Sequence, residues 1–241
     1  VGAGVSGGRR RWSDGRVGRW TFWKFNWLAK HKILRALERT RTHARGELLD
    51  VGCGSMPFAS LFAGRVTRYW GTDLNGSPDL GDARPVAYAR AEAQPFRGGS
   101  FDTIVGLAMI TYVPEPERVL TEAHRLLRPG GVLLMEFTQM APIYPLHVDY
   151  WRFTRYGAEH LLRRAGFEPV EFVPVGGLWA RVGLSLIAPL NRLNRGPARV
   201  LTEIPVRALY VLIQLTCELG DRLFLDPDEV LAHLVVARRL P

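Results

Sequence analysis

Apolar runs broken by turn residues divide this chain into strand-like and helix-like segments. The run from Leu48 reads as a buried strand that ends in Asp50 and gives way to a tight glycine turn around Gly52-Cys53-Gly54, with residues 58–62 expected to be helical beyond it. A second strand-like run, Tyr69-Trp70-Gly71-Thr72-Asp73, also ends in an acid. Residues 75–85 have loop chemistry, and a short strand is expected near 86–89. Residues 101–105 and 132–137 are apolar, rich in Val, Ile and Leu and bounded by turn residues, which suits strands buried on both faces. Between them, Pro114-Glu115-Pro116-Glu117 opens a helix, because proline is preformed for a first turn and acids suit the positive end. Val119, Leu120, Ala123, Leu126 and Leu127 make its apolar face, and Arg128-Pro129-Gly130-Gly131 stops it. Thr154 reads as the N-cap of a helix over 155–165 that Gly166 closes, followed by a sixth strand over 168–175. Strands alternating with helices predict an α/β fold with a largely parallel sheet.

The flanks follow a different pattern. Residues 1–19 read as a disordered basic tail containing Arg9-Arg10-Arg11. Trp20, Trp23 and Trp27 fall at helical spacing, and Ile33, Leu34 and Leu37 continue the stripe, so a helix is expected over 20–40, within an N-terminal segment 20–45. After a core of residues 46–175 comes an insertion, 176–228, before a last strand over 230–238, in a terminal segment 229–241. The insertion has two helix-like stretches, 178–190 and 198–224, the second expected to break at Pro205. Residues 206–219 are mostly apolar, but Arg207, Gln214, Thr216 and Glu218 interrupt them. A spanning helix wants ~20 largely apolar residues, so no transmembrane segment is expected. A cap on the core, a homodimer face and an interfacial membrane helix remain open for 176–228.

At 241 residues the chain suits one α/β domain with an insertion or a small cap. Its formal net charge of +9 permits contact with nucleic acid, anionic lipid or a phosphorylated substrate and singles out none of them. Two cysteines are no disulfide framework, and Cys53 inside the glycine turn suits a reducing cytoplasm. The basic N-terminus lacks the apolar core of a secretory signal. No Cys or His spacing of zinc type is present, so no metal is expected.

The glycine turn carries the chemistry. Gly52 and Gly54 remove side chains where backbone must approach a ligand, and an acid at the position of Asp73 can accept hydrogen bonds from both hydroxyls of a ribose. A dinucleotide site wants Gly-x-Gly-x-x-Gly, but the third position is Pro57. A lone Gly-x-Gly after a strand is also a simple tight turn. The stretch LLDVGCGSMPF at 48–58 resembles motif I of the class I S-adenosylmethionine-dependent methyltransferases, usually LDVGCGxG. Residues 90–96 resemble that family's D-A-E-x-L-P-F stretch, with Arg90 in place of the Asp. FDTIV at 101–105 resembles its FDxV motif, and RPGG before an apolar strand is a further family feature. His147 to Thr154 resembles the H-x-D-Y-W-R-F-T segment of one subgroup, the broad type 11 set.

The resemblance implies a Rossmann-like, doubly wound seven-stranded sheet with the last strand antiparallel, an N-terminal lid helix, and the helical insertion before that strand. It implies S-adenosyl-L-methionine as cofactor, held by Asp50, Gly52, Cys53, Gly54, Asp73, Leu74, Ala91, Glu92 and Leu107, with Glu92 and the next backbone N–H at the adenine edge. Relatives often carry Glu-His where this chain has Thr111-Tyr112, so no catalytic histidine is carried over there. His147 and Asp149 stand beside the expected substrate mouth and are the first candidates for proton transfer, followed by Tyr144, then Tyr112 and Glu136. Tyr150, Trp151 and Phe153 are read as packing under the loop. The expected reaction is O-methylation of a small-molecule or lipid- or sugar-linked acceptor, in a cytoplasmic protein with peripheral membrane contact or a homodimer through 176–228 left open. The alternatives are a nucleic-acid methyltransferase, disfavoured because no Asn-Pro-Pro-Tyr or Asp-Pro-Pro-Tyr motif occurs, and a cofactor-binding scaffold without catalysis.

Overall fold

A computed structural model describes residues 23–81, 84–143, 148–193, 199–224 and 226–241. The expected basic tail, Trp20, Tyr144 and His147 lie outside the described residues. One seven-stranded sheet organises the rest, in the order β3-β2-β1-β4-β5-β7-β6. The strands are β1 (Gly46–Val51), β2 (Val66–Asp73), β3 (Ala87–Tyr88), β4 (Phe101–Gly106), β5 (Leu127–Thr138), β6 (Phe167–Val175) and β7 (Ala232–Arg239). β1 to β5 pair in parallel, and β7 runs antiparallel between β5 and β6. The expected Rossmann-like sheet with its antiparallel last strand is therefore the observed one.

The helices are α1 (Trp27–Thr40), α2 (Pro116–Leu126), α3 (Arg155–Arg164), α4 (Leu178–Leu193) and α5 (Arg199–Leu223). α2 and α3 cover one face of the sheet, burying Val119, Leu120 and Leu162 against Leu49, Ile104 and Phe137. α1 covers the other, burying Ala36 and Leu37 with Leu48, Phe62, Leu134 and Val236. A small third core joins α1 to the insertion through Trp27, Leu28, Ala180, Cys217 and Leu231.

Polar contacts bind the same three helices. Asp221 of α5 accepts backbone N–H bonds from Gly177 (2.9 Å), Trp179 (3.0 Å) and Ala180 (3.2 Å), capping the start of α4. Lys32 of α1 lies 3.0 Å from Asp221 and 2.7 Å from Glu218. The Leu28 N–H donates to Gln214 Oε1 at 3.0 Å, a bond buried between α1 and α5.

Four local expectations change. The described helix starts at Trp27. Residues 58–62 form only a one-turn 3₁₀ helix, Ala59–Phe62, in a 52–65 connection bounded by Pro57 before it and left-handed Gly64 after it. β5 reaches back through the Gly130 turn to Leu127, with a register shift opposite Phe101–Thr103. α5 runs through Pro205 unbroken, since that residue is exposed and the carbonyl it leaves without a partner can be hydrated. α3 begins as expected, with Thr154 Oγ1 accepting from the Gly157 N–H at 3.1 Å, and ends at left-handed Gly166.

Candidate functional site

β1 leaves the sheet toward the α1 face, whereas β4 leaves toward α2 on the opposite face. The carboxyl ends of these adjacent strands therefore part and open a crevice, the place where open α/β sheets bind ligands.

One wall is the glycine turn. The N–H groups of Gly52 and Cys53 both donate to Thr72 O, at 2.9 and 3.0 Å, tying the turn to β2. Gly52 has φ +71°, and a Cβ there would stand 2.9 Å from Met109 Cβ. Gly54 has φ +50°, and a Cβ there would stand 3.2 Å from Asp79 O. Left-handed backbone and close neighbours both demand glycine at these two positions. The Gly54 N–H donates to Asp73 Oδ2 at 2.7 Å, and the Leu74 N–H donates to Oδ1 at 2.7 Å. Asp73 is buried at the rim of the turn. Each carboxylate oxygen carries two lone pairs, so one acceptor position remains on each.

Asp50 and Cys53 lie deeper. Tyr69 donates its hydroxyl to the buried Asp50 carboxyl, beneath the turn. Burial drives the Asp50 carboxyl up to about 7; the Tyr69 bond opposes this and the Asp73 charge adds to it. Burial, followed by the charges of Asp50 and Asp73, pushes the Cys53 thiol up, which suits packing rather than nucleophilic attack. Its sulfur occupies the space left by Gly71, where an added Cβ would lie 2.9 Å away.

The opposite wall follows β4. Leu107 is half-buried, and Ala108 is exposed in a left-handed conformation, φ +48°. A non-glycine residue held there costs energy, and such positions cluster at functional sites. The Ala108 N–H donates to Glu136 Oε2 at 3.1 Å. Glu136 is buried near the carboxyl end of β5, on the α1 face with Leu134. Burial lifts its carboxyl from the ordinary 4.5 to about 7, opposed only by the Ala108 bond. The sequence ranks Glu136 low, although a lone acid inside the run VLLMEF is a visible signal.

Residues 90–94 form a turn after β3, with the Ala93 N–H donating to Arg90 O at 3.1 Å. Glu92 takes an ion pair from Arg90 at 2.7 Å, so the residue that departs from the family pattern neutralises the retained acid. Ala91 is half-buried against the α2-side core. Gln94 is buried, its N–H donating to Glu122 at 2.7 Å, its amide donating to Arg90 O at 2.9 Å, and its Oε1 without a partner.

The 148–154 segment lies across the ends of β4 and β5. The backbone N–H groups of Tyr150 and Trp151 donate to Thr111 O, at 3.0 and 3.3 Å. The Trp151 indole donates to Val113 O at 3.0 Å, and Phe153 packs edge-on to Phe137 at 5.3 Å. Arg152 grips both oxygens of Asp149, and Thr111 also reaches Asp149 Oδ1 at 3.2 Å. That clamp occupies both carboxylate oxygens of Asp149, a positioning arrangement rather than that of a free base. Thr111 anchors the segment. The structure thus brings Asp50, Gly52, Cys53, Gly54, Asp73, Leu74 and Leu107 to one crevice. Ala91 and Glu92 form a separate turn after β3, and Asp149 belongs to the Arg152 clamp.

Residues 49–135 match a family described as a methyltransferase domain. The match ends before the 147–154 segment, so the finer subgroup is untouched by it. The chain is 28% identical over 127 residues to a ubiquinone biosynthesis O-methyltransferase of Pseudomonas aeruginosa, covering 48% of this chain and 52% of that protein. It is 31% identical over 139 residues to the ubiquinone/menaquinone biosynthesis C-methyltransferase UbiE of Bordetella avium, covering 51% and 54%. The chain therefore spans about half the length of these curated relatives. Among solved structures, the cyclase SpnF superposes with a TM-score of 0.59 at 21% identity, over 89% of this chain and 82% of that one. That likeness concerns the fold alone, and a cyclase on this fold means that the sheet does not by itself fix the reaction.

Proposed function

We propose that this chain is an S-adenosylmethionine-dependent methyltransferase that methylates a small apolar acceptor of phenol or quinol type, on oxygen. The observation that carries this reading is the glycine turn with Asp73 beneath it, at a switch point inside the span that matches a methyltransferase domain. The residues fit such a cofactor: Gly52 and Gly54 carry no side chains and the Cys53 sulfur packs toward Gly71, no phosphate-binding third glycine is present, and Asp73 keeps open acceptor positions for two ribose hydroxyls. Leu74 and Leu107 flank the nucleoside, and Ala91 with Glu92 lies toward the base. Asp50 and Cys53 support the turn from below.

When bound, the cofactor supplies an electrophilic methyl group whose bond to sulfur breaks in line as its bond to the acceptor oxygen forms. The protein aligns the acceptor, excludes water and removes the acceptor proton. Two groups are proposed for that proton. His147 titrates near neutrality when unperturbed. Glu136, buried beside the exposed Ala108 loop and raised to about 7, is poised in the same range. Asp149, held by Arg152, positions the 148–154 segment, and Tyr144 remains a proposed contact on the acceptor side. The quinone-pathway names of the relatives support an apolar ring acceptor, while O- and C-methylation both occur among those names.

The test is turnover with labelled S-adenosylmethionine and a panel of phenols, quinols and their prenylated forms. Labelled product whose rate falls ~10²–10⁴-fold in either Glu136→Gln or His147→Ala, with cofactor affinity unchanged, supports the reading and identifies the base. Cofactor binding with no methylated product from any acceptor would favour a non-methylating use of the fold, as SpnF's description as a cyclase allows.

A further inference from the structure

The crevice opens at the carboxyl ends of the strands, but a second opening lies at the amino end of the sheet. It is an open cavity of about 510 Å³ lined by Thr42, His43, Arg45, Gly130, Val132 and Arg238. Three elements meet there. Arg45 leads into β1, Gly130 lies in the turn early in β5, and Arg238, near the end of β7, is the cross-strand partner of Val132. The volume is in the range of small-molecule sites. The lining holds two guanidiniums, an imidazole and a hydroxyl, and no acid.

The arginines are held in place without being neutralised. The Arg45 N–H donates to Oγ1 of buried Thr103 at 2.9 Å, and that hydroxyl donates back to Arg45 O at 2.8 Å. Arg45 Nη2 then donates to Gly130 O at 3.0 Å, so the guanidinium is fixed across β4 to the β5 turn. A guanidinium has five N–H donors, and that bond uses one of them. The Arg238 side chain has no hydrogen bond or ion pair among the described residues, although Glu168 stands opposite it in the β6–β7 register. The neighbouring acids are engaged elsewhere: Asp102 with Arg128 and the Glu47 N–H, and Glu171 with Arg39 and, at 3.6 Å, with His43. Two guanidiniums sharing one cavity without a carboxylate favour an anion between them, and their planar forks match the oxygens of a phosphate. No aromatic side chain lines the cavity to stack a nucleic-acid base, and its one apolar side chain, Val132, is buried and offers nothing to a bilayer.

We propose that this cavity binds a small phosphate-bearing molecule, its phosphate held between Arg45 and Arg238. The proposal stands independently of the reaction assigned to the crevice, because the two openings lie at opposite ends of β1. Its test is calorimetric titration of the full chain with inorganic pyrophosphate, and with succinate as a carboxylate of similar charge. Saturable one-to-one binding of pyrophosphate is expected at physiological salt, with succinate much weaker. Affinity should fall roughly tenfold in Arg45→Gln and in Arg238→Gln, and further in the double variant. Arg97→Gln/Arg164→Gln removes the same charge from exposed positions elsewhere and should keep the parental affinity. Circular dichroism and urea denaturation establish that each variant is folded; Arg238→Gln breaks no side-chain bond among the described residues and carries the test alone if Arg45→Gln is not. Absence of saturable pyrophosphate binding overturns the proposal, as does parental affinity in the Arg45 and Arg238 variants or an equal loss in the Arg97/Arg164 control. Equal binding of succinate, or binding confined to an RNA oligomer or to phosphatidic acid vesicles, overturns it as a site for a small phosphate.

Discussion

The crevice and the cap solve opposite problems. Around the glycine turn the protein buries acids: Asp50, Asp73 and Glu136 all lie out of water beneath short loops. In the α1–α4–α5 cap it does the reverse, exposing leucines on one arc while folding its acids inward onto Lys32. Buried carboxyls are costly and persist where a ligand or a proton must be handled. Exposed leucines are costly in another way and persist where a surface is to be covered. The contrast divides the molecule into a crevice lined by buried acids and a cap with an exposed apolar face.

The sharpest way to break that division is at Gly52. Gly52→Val forces a branched residue to φ +71° and drives its Cβ to 2.9 Å from Met109. Cofactor binding should vanish in calorimetry; retained cofactor affinity would remove the turn from the site.

Lys32→Met addresses the cap alone. It leaves Glu218 and Asp221 facing each other without their shared cation, and breaking such a buried set typically costs about 3–5 kcal/mol. Urea denaturation should register that loss; no change would mean that the cap does not depend on the ion cluster.

Asp73→Ala is expected to be milder. It removes the acceptor of the Gly54 and Leu74 N–H groups and the proposed ribose ligand, for a loss of about 2 kcal/mol in cofactor affinity. Calorimetry showing the parental affinity would sink the ribose assignment.

The smallest effect is one of pH. Glu136 has a folded-state pKa near 7, above its ordinary 4.5, so the folded state holds its proton more tightly than the unfolded chain does. Ionisation therefore lowers stability as pH rises from about 4.5 to 7, and the deficit persists above that range. Glu136→Gln abolishes this contribution. Relative to the parent it should gain on the order of 1–3 kcal/mol at pH 8 compared with pH 4, read from denaturation at both values. An equal difference at the two pH values would mean that Glu136 is solvated in the folded protein.

The two regions were also unequally legible. The crevice could be read because its constraints are local. A glycine needed for left-handed backbone, an acid at a strand end and apolar runs between turns all leave marks within a few residues. The helices of the cap could be read, but not which side of α5 is covered, because its buried side carries Gln214 and Asp221 while leucines are exposed on the other. Periodicity would bury the leucines; the contacts from Leu28, Lys32 and Gly177 bury the polar side instead. Asp149 is a third case. Its carboxyl looks available in the sequence, and three residues later stands the arginine that takes both its oxygens. Glu136 was visible as a lone acid in an apolar strand, but its bond to the strained Ala108 loop depends on the pairing of β4 with β5.

The central claim concerns the ligand that the glycine turn admits. Calorimetric titration of the full chain with S-adenosylmethionine, S-adenosylhomocysteine and NAD tests it directly. Saturable one-to-one binding of the two sulfur nucleosides, lost in Gly52→Val, with no heat from NAD, is the predicted result. Binding of NAD in their place, or of none of the three, would contradict it.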